Sequence, residues 1–280
     1  MRAELATRTL ARLGVHGEVR LTERPGHAHD LTLEAVAHGA DLVVAWGGDG
    51  TINEVGRGLV RRAGEGASTS PPALGIIPGG SGNGLARELG IPFEPARAIE
   101  HALRAVARRV DVGELGGHLF FNVAGIGLEA HVAALVSTRT RHRGLLPYLT
   151  ASAGDLLRYR SADYTIEVEG QTNRASAVML TFANSRQWGF GACIAPGADL
   201  ADGRLDFVAV HDRGLLGNIA RIPSVFLRRI ERQPGIETRR VTEATIRSRQ
   251  PMLFHVDGEA VQGSDALVAR VHPRALLLRA

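Results

Sequence analysis

Asp49 stands between Gly48 and Gly50 in the run AWGGDGTINEV, Ala45 to Val55. Glycine-rich turns that lead from a strand into a helix receive phosphate, because small residues let backbone N–H groups and the helix N-terminus approach an anion. A carboxylate in such a turn repels the anion unless a divalent cation lies between them. Mg2+ is bound through one or two carboxylates together with phosphate oxygens and water. Asp49 therefore reads as a metal ligand, while main-chain N–H groups of the turn and the Thr51 cap region hold the phosphates. A second glycine turn, PGGSGNG from Pro78 to Gly84, carries Ser81 and Asn83. Further on, Asp257 and Glu259 flank one glycine in VDGE. Phosphoryl transfer needs positioning, charge neutralisation and a group that accepts a hydroxyl proton, and either acid there has that chemistry. Asp-Gly is equally a common hairpin signal, so an ordinary β-turn accounts for the same letters.

Positioning these residues requires strands ahead of the turns and helices behind them. Leu42 to Trp46 is a buried-strand pattern, and Ile52, Val55, Leu59 and Val60 recur at helical spacing after the turn. Thr51 followed by Glu54 matches a capping box, which places a helix N-terminus at the glycines. The pattern repeats with Ala73 to Ile77 as a strand, the second glycine turn, and LAREL opening a helix. Two such turns on neighbouring strands sit side by side at one sheet edge, where α/β proteins bind ligands. Arg61 to Pro72 reads as a surface loop. From about Val110 the texture changes to β-branched and aromatic runs bounded by glycine, such as HLFFNVAGIG, YTIEVEG, SAVMLTFAN and RLDFVAVHD. The fold class read from this is an α/β N-terminal domain on a parallel sheet, residues 1–110, followed by a β-rich antiparallel sandwich, residues 111–263. Residues 264–280 are expected to return to the first domain.

Composition closes several alternatives. The 280 residues are 44% hydrophobic and 22% charged, an ordinary globular balance. All 33 basic side chains are arginine, against 29 acids, for a net charge of +4. That small excess gives little drive toward polyanions, and no nucleic-acid partner is expected. Without lysine there is no Walker lysine, no strand lysine of the protein-kinase type and no Schiff base. A Rossmann fingerprint fails as well, since G-x-G-x-x-G counted from Gly48 ends on Asn53 and from Gly80 on Leu85. The single cysteine, Cys193, excludes an intramolecular disulfide and suits a reducing compartment. His27 and His29 have no third ligand at metal spacing. His255 reads as a strand residue, and Asn122 as a satisfied buried polar group. No run approaches the roughly 18 apolar residues of a spanning helix.

The motifs GGDGTINEV, PGGSGNGLAREL, FFNVAGIGLEAHV (Phe120 to Val132) and VDGE, in this order, resemble the diacylglycerol kinase catalytic family, which includes bacterial lipid kinases and sphingosine kinases. The first motif alone is shared with NAD kinases; the four together are far more specific. The resemblance implies transfer of the ATP γ-phosphoryl group to a lipid hydroxyl, on diacylglycerol or a sphingoid-like acceptor, with nucleotide held by the α/β domain and lipid by the β-rich one. Carried over position by position, it implies nucleotide contacts at Thr22, Gly47, Gly48, Asp49, Gly50, Thr51, Ile52, Asn53 and Ser81. It implies Glu259 as general base, supported by Asp257, with Asp49 organising a catalytic Mg2+. Asp202, in PGADLADGRLD, matches the ligand of a second, structural Mg2+ in bacterial members. One departure is visible: family members begin with a strand and an Asn-Pro turn, whereas this chain starts at the helix pattern ELATRTLARLGV. Two rivals stand beside the lipid kinase: an NAD kinase-like enzyme, given the shared GGDGT, and a catalytically silent lipid- or nucleotide-binding module, given the missing first strand.

Two stretches bear on the lipid. RTRHRGLLPYL, Arg139 to Leu149, sets a basic cluster beside leucines and a tyrosine, a composition that suits an anionic membrane surface as well as it suits ordinary packing. GNIARIPSVFLRRIERQ, Gly217 to Gln233, is expected to pack Ile219, Ile222, Val225, Phe226 and Ile230 on the core with its arginines solvated, the alternative being that this apolar face meets the lipid surface. The chain is thus expected in the cytoplasm, peripheral at the inner membrane face, with a homo-oligomer open to it.

Overall fold

The computed structural model describes residues 2–64, 71–139, 159–189 and 191–280. The basic stretch Arg139–Leu149 falls, beyond Arg139, outside the described residues. The chain separates into two compact units. The first comprises Met1–Gly80, Leu89–Val110 and Ala275–Ala280, and the second Ser81–Glu88 and Asp111–Arg274.

In the first unit, helices α1 (Arg2–Arg12) and α2 (His27–Ala37) precede strand β1 (Leu42–Gly47). Helix α3 (Asp49–Gly64), strand β2 (Ala73–Pro78) and helix α5 (Pro95–Arg104) follow, with the short helix α4 (Gly84–Glu88) of the second unit between the last two. β1 and β2 are parallel, from Leu42 opposite Ala73 to Gly47 opposite Pro78. β2 continues the parallel arrangement with the end of the last strand, where Leu278 pairs with Leu74. β2 is buried along its whole length, whereas β1 is half-buried with Val44 exposed, less enclosed than its apolar run predicts. α5 presses on β2 so closely that a Cβ on Gly75 would lie 2.9 Å from that of Ala102. Pro95 opens α5, and the Glu94 side chain accepts from the N–H groups of Ala96 and Arg97 at 3.0 and 2.8 Å, an N-cap. These two bonds hold the Glu94 carboxyl below its usual range.

Two local expectations are corrected. α3 runs on to Gly64, so Arg61–Gly64 are helical, not loop. The capping box does not form either. α3 begins at Asp49, with Ile52 N–H donating to the Gly48 carbonyl at 3.1 Å, and that start puts Thr51 one turn too far along to cap. Glu54 instead reaches to helix α2, accepting from Gly26 N–H at 2.8 Å and Ala28 N–H at 3.0 Å. α2 has no side-chain cap of its own, because Gly26 stands at its N-cap, and Glu54 supplies the acceptor its first amides lack.

The second unit is built from antiparallel strands. In chain order these are β3 (Ala107–Leu115), β4 (His118–Phe120), β5 (Val123–Gly127), β6 (Ala162–Val168), β7 (Gln171–Ala183), β8 (Gln187–Gly189) and β9 (Ala192–Cys193). β10 (Leu205–His211), β11 (Ile236–Val241), β12 (Glu243–Arg247), β13 (Leu253–Val256), β14 (Glu259–Gln262) and β15 (Ala266–Arg279) follow. The long β7 pairs antiparallel with β5, β6 and β10. Strand alternation gives this layer two buried faces. Leu180, Phe182, Leu205, Phe207 and Ala209 point into one core with Phe120, Ile126, Ile246 and Phe254, and Phe182 and Phe207 stack with centroids 5.1 Å apart. Met179, Ala183, Val208 and Val210 point into the other with Val123, Ile194 and Ile230. Cys193 is fully buried, and burial pushes its thiol up, as befits a packing residue. Helix α6 (Leu128–Arg139) follows β5, and helix α7 (Gly214–Phe226) follows β10.

α7 overturns the expected packing. Its buried residues are Arg221 and Ser224, while Leu215, Leu216, Ile219, Ile222 and Phe226 are exposed. Val225 is only half-buried against the second core, and Ile230 packs there from a 3-10 turn beyond the helix.

Candidate active site

The first glycine turn is held by its own backbone and by its neighbour. Gly47 ends β1, Gly48 bridges, and Asp49 opens α3, half-buried at the helix N-terminus. Gly79 N–H donates to the Gly47 carbonyl at 2.8 Å, so the two glycine turns lie against each other as the neighbouring strands require. Packing dictates two of the glycines. A Cβ on Gly47 would collide with the Thr51 side chain, and one on Gly48 would lie 3.0 Å from the Gly80 Cα. Gly50 differs, since a Cβ there would meet nothing within 4 Å and its φ is not left-handed. Neither space nor backbone demands glycine at that position, and glycine weakens a helix. What it does leave is an approachable backbone in the first turn, which a phosphate uses. Thr51 is half-buried, and Ile52 and Asn53 are buried in α3. Thr22 is exposed in the irregular segment that precedes α2.

Ser81 follows Gly80 directly and is exposed. In the same second-unit segment Asn83 sits buried with φ 49° just before α4, and its carbonyl accepts from Arg87 N–H at 3.0 Å. Gly84 is fixed by packing, because a side chain there would run into the Asn122 amide.

The VDGE residues form a hairpin with a two-residue turn. Val256 of β13 faces Glu259 of β14, and Asp257 and Gly258 take φ of 49° and 86°, both left-handed, as a type I′ turn requires. The turn is more than a reversal. Asp257 Oδ2 accepts from Phe121 N–H at 2.9 Å, and Oδ1 accepts from Asn122 and Val123 N–H at 2.9 and 3.2 Å. Asp257 N–H donates in turn to the Val123 carbonyl. Its carboxylate is thereby committed to fastening the turn onto the start of β5. Glu259 is exposed at the head of β14 and makes no hydrogen bond or ion pair among the described residues.

Behind the hairpin lies a buried polar group that motif reading does not single out. His255 Nδ1 accepts from Gly258 N–H at 3.3 Å, and its Nε2 lies 3.3 Å from Glu129 Oε2, an oxygen that accepts no hydrogen bond among the described residues. Thr181 Oγ1 donates to Glu129 Oε1 at 2.8 Å. All three are buried. Burial pushes the phenols of Tyr159 and Tyr164 up, reinforced for Tyr164 by the neighbouring Tyr159 and, as the smallest contribution to each, by the Glu129 charge. A second buried set centres on Asn122, whose Nδ2 donates to the Gln187 carbonyl at 2.6 Å and whose Oδ1 accepts from Ser185 Oγ. Asn184 Nδ2 donates to the carbonyls of Asp111 and Phe121, and the Asp111 carboxylate accepts from Gly203 and Arg274 N–H at 2.6 and 2.7 Å. The available signal was a lone polar residue inside an apolar run, as with Glu129 in GIGLEA.

Around Asp202 the charge is already answered. Arg240 lies 3.7 Å from Asp202 and 3.9 Å from Asp206, and its Nη2 donates to the Gly197 carbonyl. Burial pushes Asp206 up to about 6, opposed by Arg240 and reinforced by Asp202. Among the described residues no cluster of three or more His, Cys, Asp or Glu side chains is arranged around a metal position. A cavity of about 440 Å3 on β6, β7 and β12, with Arg174, Arg247 and Arg249 in its wall, contains none of the motif residues.

Residues 2–115 match the diacylglycerol kinase catalytic domain, and residues 122–280 match the YegS C-terminal NAD kinase beta sandwich-like domain. A Pseudomonas fluorescens protein named "Probable lipid kinase YegS-like" is 31% identical over 268 residues, covering 92% of this chain and 84% of its own. The diacylglycerol kinase of Bacillus subtilis is 30% identical over 250 residues, covering 88% and 80%. The crystal structure of a diacylglycerol kinase from Bacillus anthracis superposes with a TM-score of 0.69 over 98% of this chain and 90% of that one; at 20% identity this speaks to the fold.

Proposed function

The chain belongs to the diacylglycerol kinase catalytic family of lipid kinases, and on that premise we propose that it transfers the γ-phosphoryl group of ATP, with Mg2+, to the hydroxyl of a lipid such as diacylglycerol. The observation that carries the reading is Gly50, a glycine that neither packing nor backbone angle requires, beside a carboxylate at a helix N-terminus. That combination suits an anion bridged to Asp49 by a cation. Within the span Gly47–Asn53 the phosphates would be held by main-chain N–H groups ahead of Ile52, whose own N–H is donated to the Gly48 carbonyl, with Thr22 and Ser81 as further contacts. Bound Mg2+ would neutralise phosphate charge, and its protein ligand here would be Asp49.

Glu259 has no partner among the described residues to compete for its carboxylate, which suits it to accept the acceptor hydroxyl's proton. Asp257 is engaged with three backbone amides, so its part is to place Glu259. Asp202 already faces Arg240, and no step is routed through a second metal there. The acceptor would be met at a membrane surface; no described helix is long and apolar enough to cross one.

The test is incubation of the purified protein with γ-labelled ATP, Mg2+ and separate acceptors: diacylglycerol, a sphingoid base, ceramide, phosphatidylglycerol and NAD. Label is expected in a lipid product. Label in NAD alone, or in no acceptor, contradicts the proposal.

A further inference from the structure

Helix α7 is turned inside out. On a helix, residues 215, 216, 219, 222 and 226 share one face, and 217, 221 and 224 share the opposite one. A packed surface helix buries its apolar face, whereas here Arg221 and Ser224 are 5% exposed and the apolar face is open. Leu216 is 83% exposed, Leu227 just past the helix 65%, and Leu215, Ile219, Ile222 and Phe226 from 41 to 44%. The inward arrangement is built and specific. Arg221 Nη1 donates to the His211 carbonyl at 2.9 Å, Ser224 Oγ donates to the Arg221 carbonyl at 2.6 Å, and desolvation lowers the arginine's pKa. Burying a guanidinium is costly, and the fold accepts that cost while leaving six large apolar side chains outside. Such a contiguous patch on a water-facing surface marks a docking face.

Charge identifies what docks. Residues 213–232 carry five arginines and one glutamate. Arg213 precedes the helix and Arg228, Arg229 and Arg232 follow it, all four exposed and without an ion pair among the described residues. Asp212, the nearest acid before the helix, is taken up by Gly214 N–H, Asn218 and Ser161. A second copy of this chain meeting the same face about a two-fold axis would set arginines against arginines. An anionic bilayer offers both complements, acyl chains for the leucines and headgroup phosphates for the arginines. We propose that α7 is an interfacial anchor, which lies in the plane of an anionic lipid surface with Leu215, Leu216, Ile219, Ile222, Phe226 and Leu227 below the headgroups and the flanking arginines among them. The assignment rests on the lipid-acceptor reading only in supplying a reason to be at a bilayer.

Vesicle flotation tests it with neither ATP nor acceptor present, so a failure of the kinase assay leaves its outcome intact. The whole protein is mixed with vesicles of phosphatidylcholine alone or with about a third phosphatidylglycerol, a content that gives a markedly negative surface. Wild type is expected to float with the anionic vesicles. The double variant Leu216→Glu with Ile222→Glu is expected to stay in the dense fraction with an unchanged melting temperature, since both side chains are already exposed. The variant Arg228→Glu with Arg229→Glu is expected to bind at least about tenfold more weakly. A wild type that does not float overturns the proposal. So does a folded leucine and isoleucine variant that floats as well as wild type, or a wild-type dimer that Leu216→Glu splits without any vesicle binding.

Discussion

Two glycines three positions apart in one turn separate packing from ligand binding. Gly47 is demanded by the Thr51 side chain folded against it, whereas Gly50 has open space where a Cβ would stand. Gly47→Ala is therefore expected to destabilise the protein by about 1–3 kcal/mol, as forced repacking does. Gly50→Ala is expected to leave the melting temperature unchanged or raise it, because alanine favours the helix by up to about 1 kcal/mol. The same change is expected to raise the KM for ATP by about tenfold or more through crowding of the phosphate's approach. Differential scanning fluorimetry and steady-state kinetics on the two variants check both halves. A Gly50→Ala enzyme with unaltered ATP kinetics would return that glycine to an incidental role.

At the scale of elements, the hairpin that presents Glu259 depends on one side chain. Asp257→Ala removes the acceptor of three amides at Phe121, Asn122 and Val123 and a left-handed turn residue at once. A loss of about 2–4 kcal/mol is expected in denaturant unfolding, and Asp257→Asn should recover part of it, since asparagine tolerates the turn and keeps one acceptor oxygen. The type I′ turn was legible in the letters Asp-Gly. The carboxylate's amide partners were not, because they lie 134 to 136 residues away and only tertiary structure brings them near. The parallel strands and their adjoining glycine turns were legible for the same local reason, apolar runs bounded by glycine. Glu54 departs from the capping box because that motif presupposes where the helix starts, and a start three residues earlier frees its carboxylate for α2. α7 was misread for a different reason. Helical periodicity shows that Ile219, Ile222 and Phe226 share a face but carries no sign, and whether that face points in or out is decided by what the rest of the fold offers it.

For the molecule as a whole, stability should carry the signature of a buried carboxyl. Asp206 is pushed up from 3.8 to about 6, chiefly by burial. The folded state therefore keeps this proton to higher pH than the unfolded chain does. The contribution to stability is complete below 3.8 and is lost as pH rises toward about 6. Asp206→Asn cannot ionise, so its unfolding free energy is expected to gain on wild type between pH 4 and pH 7 by about 2–3 kcal/mol, read from denaturant unfolding at each pH. A constant difference across that range would show that Asp206 titrates normally. The central claim concerns catalysis, and Glu259 carries it most directly. With labelled ATP, Mg2+ and the lipid acceptor that wild type uses, Glu259→Gln is expected to lower the transfer rate by roughly 10²–10⁴-fold, at an unchanged melting temperature because the side chain is exposed and unbonded. A Glu259→Gln protein that phosphorylates the lipid at the wild-type rate would contradict the account.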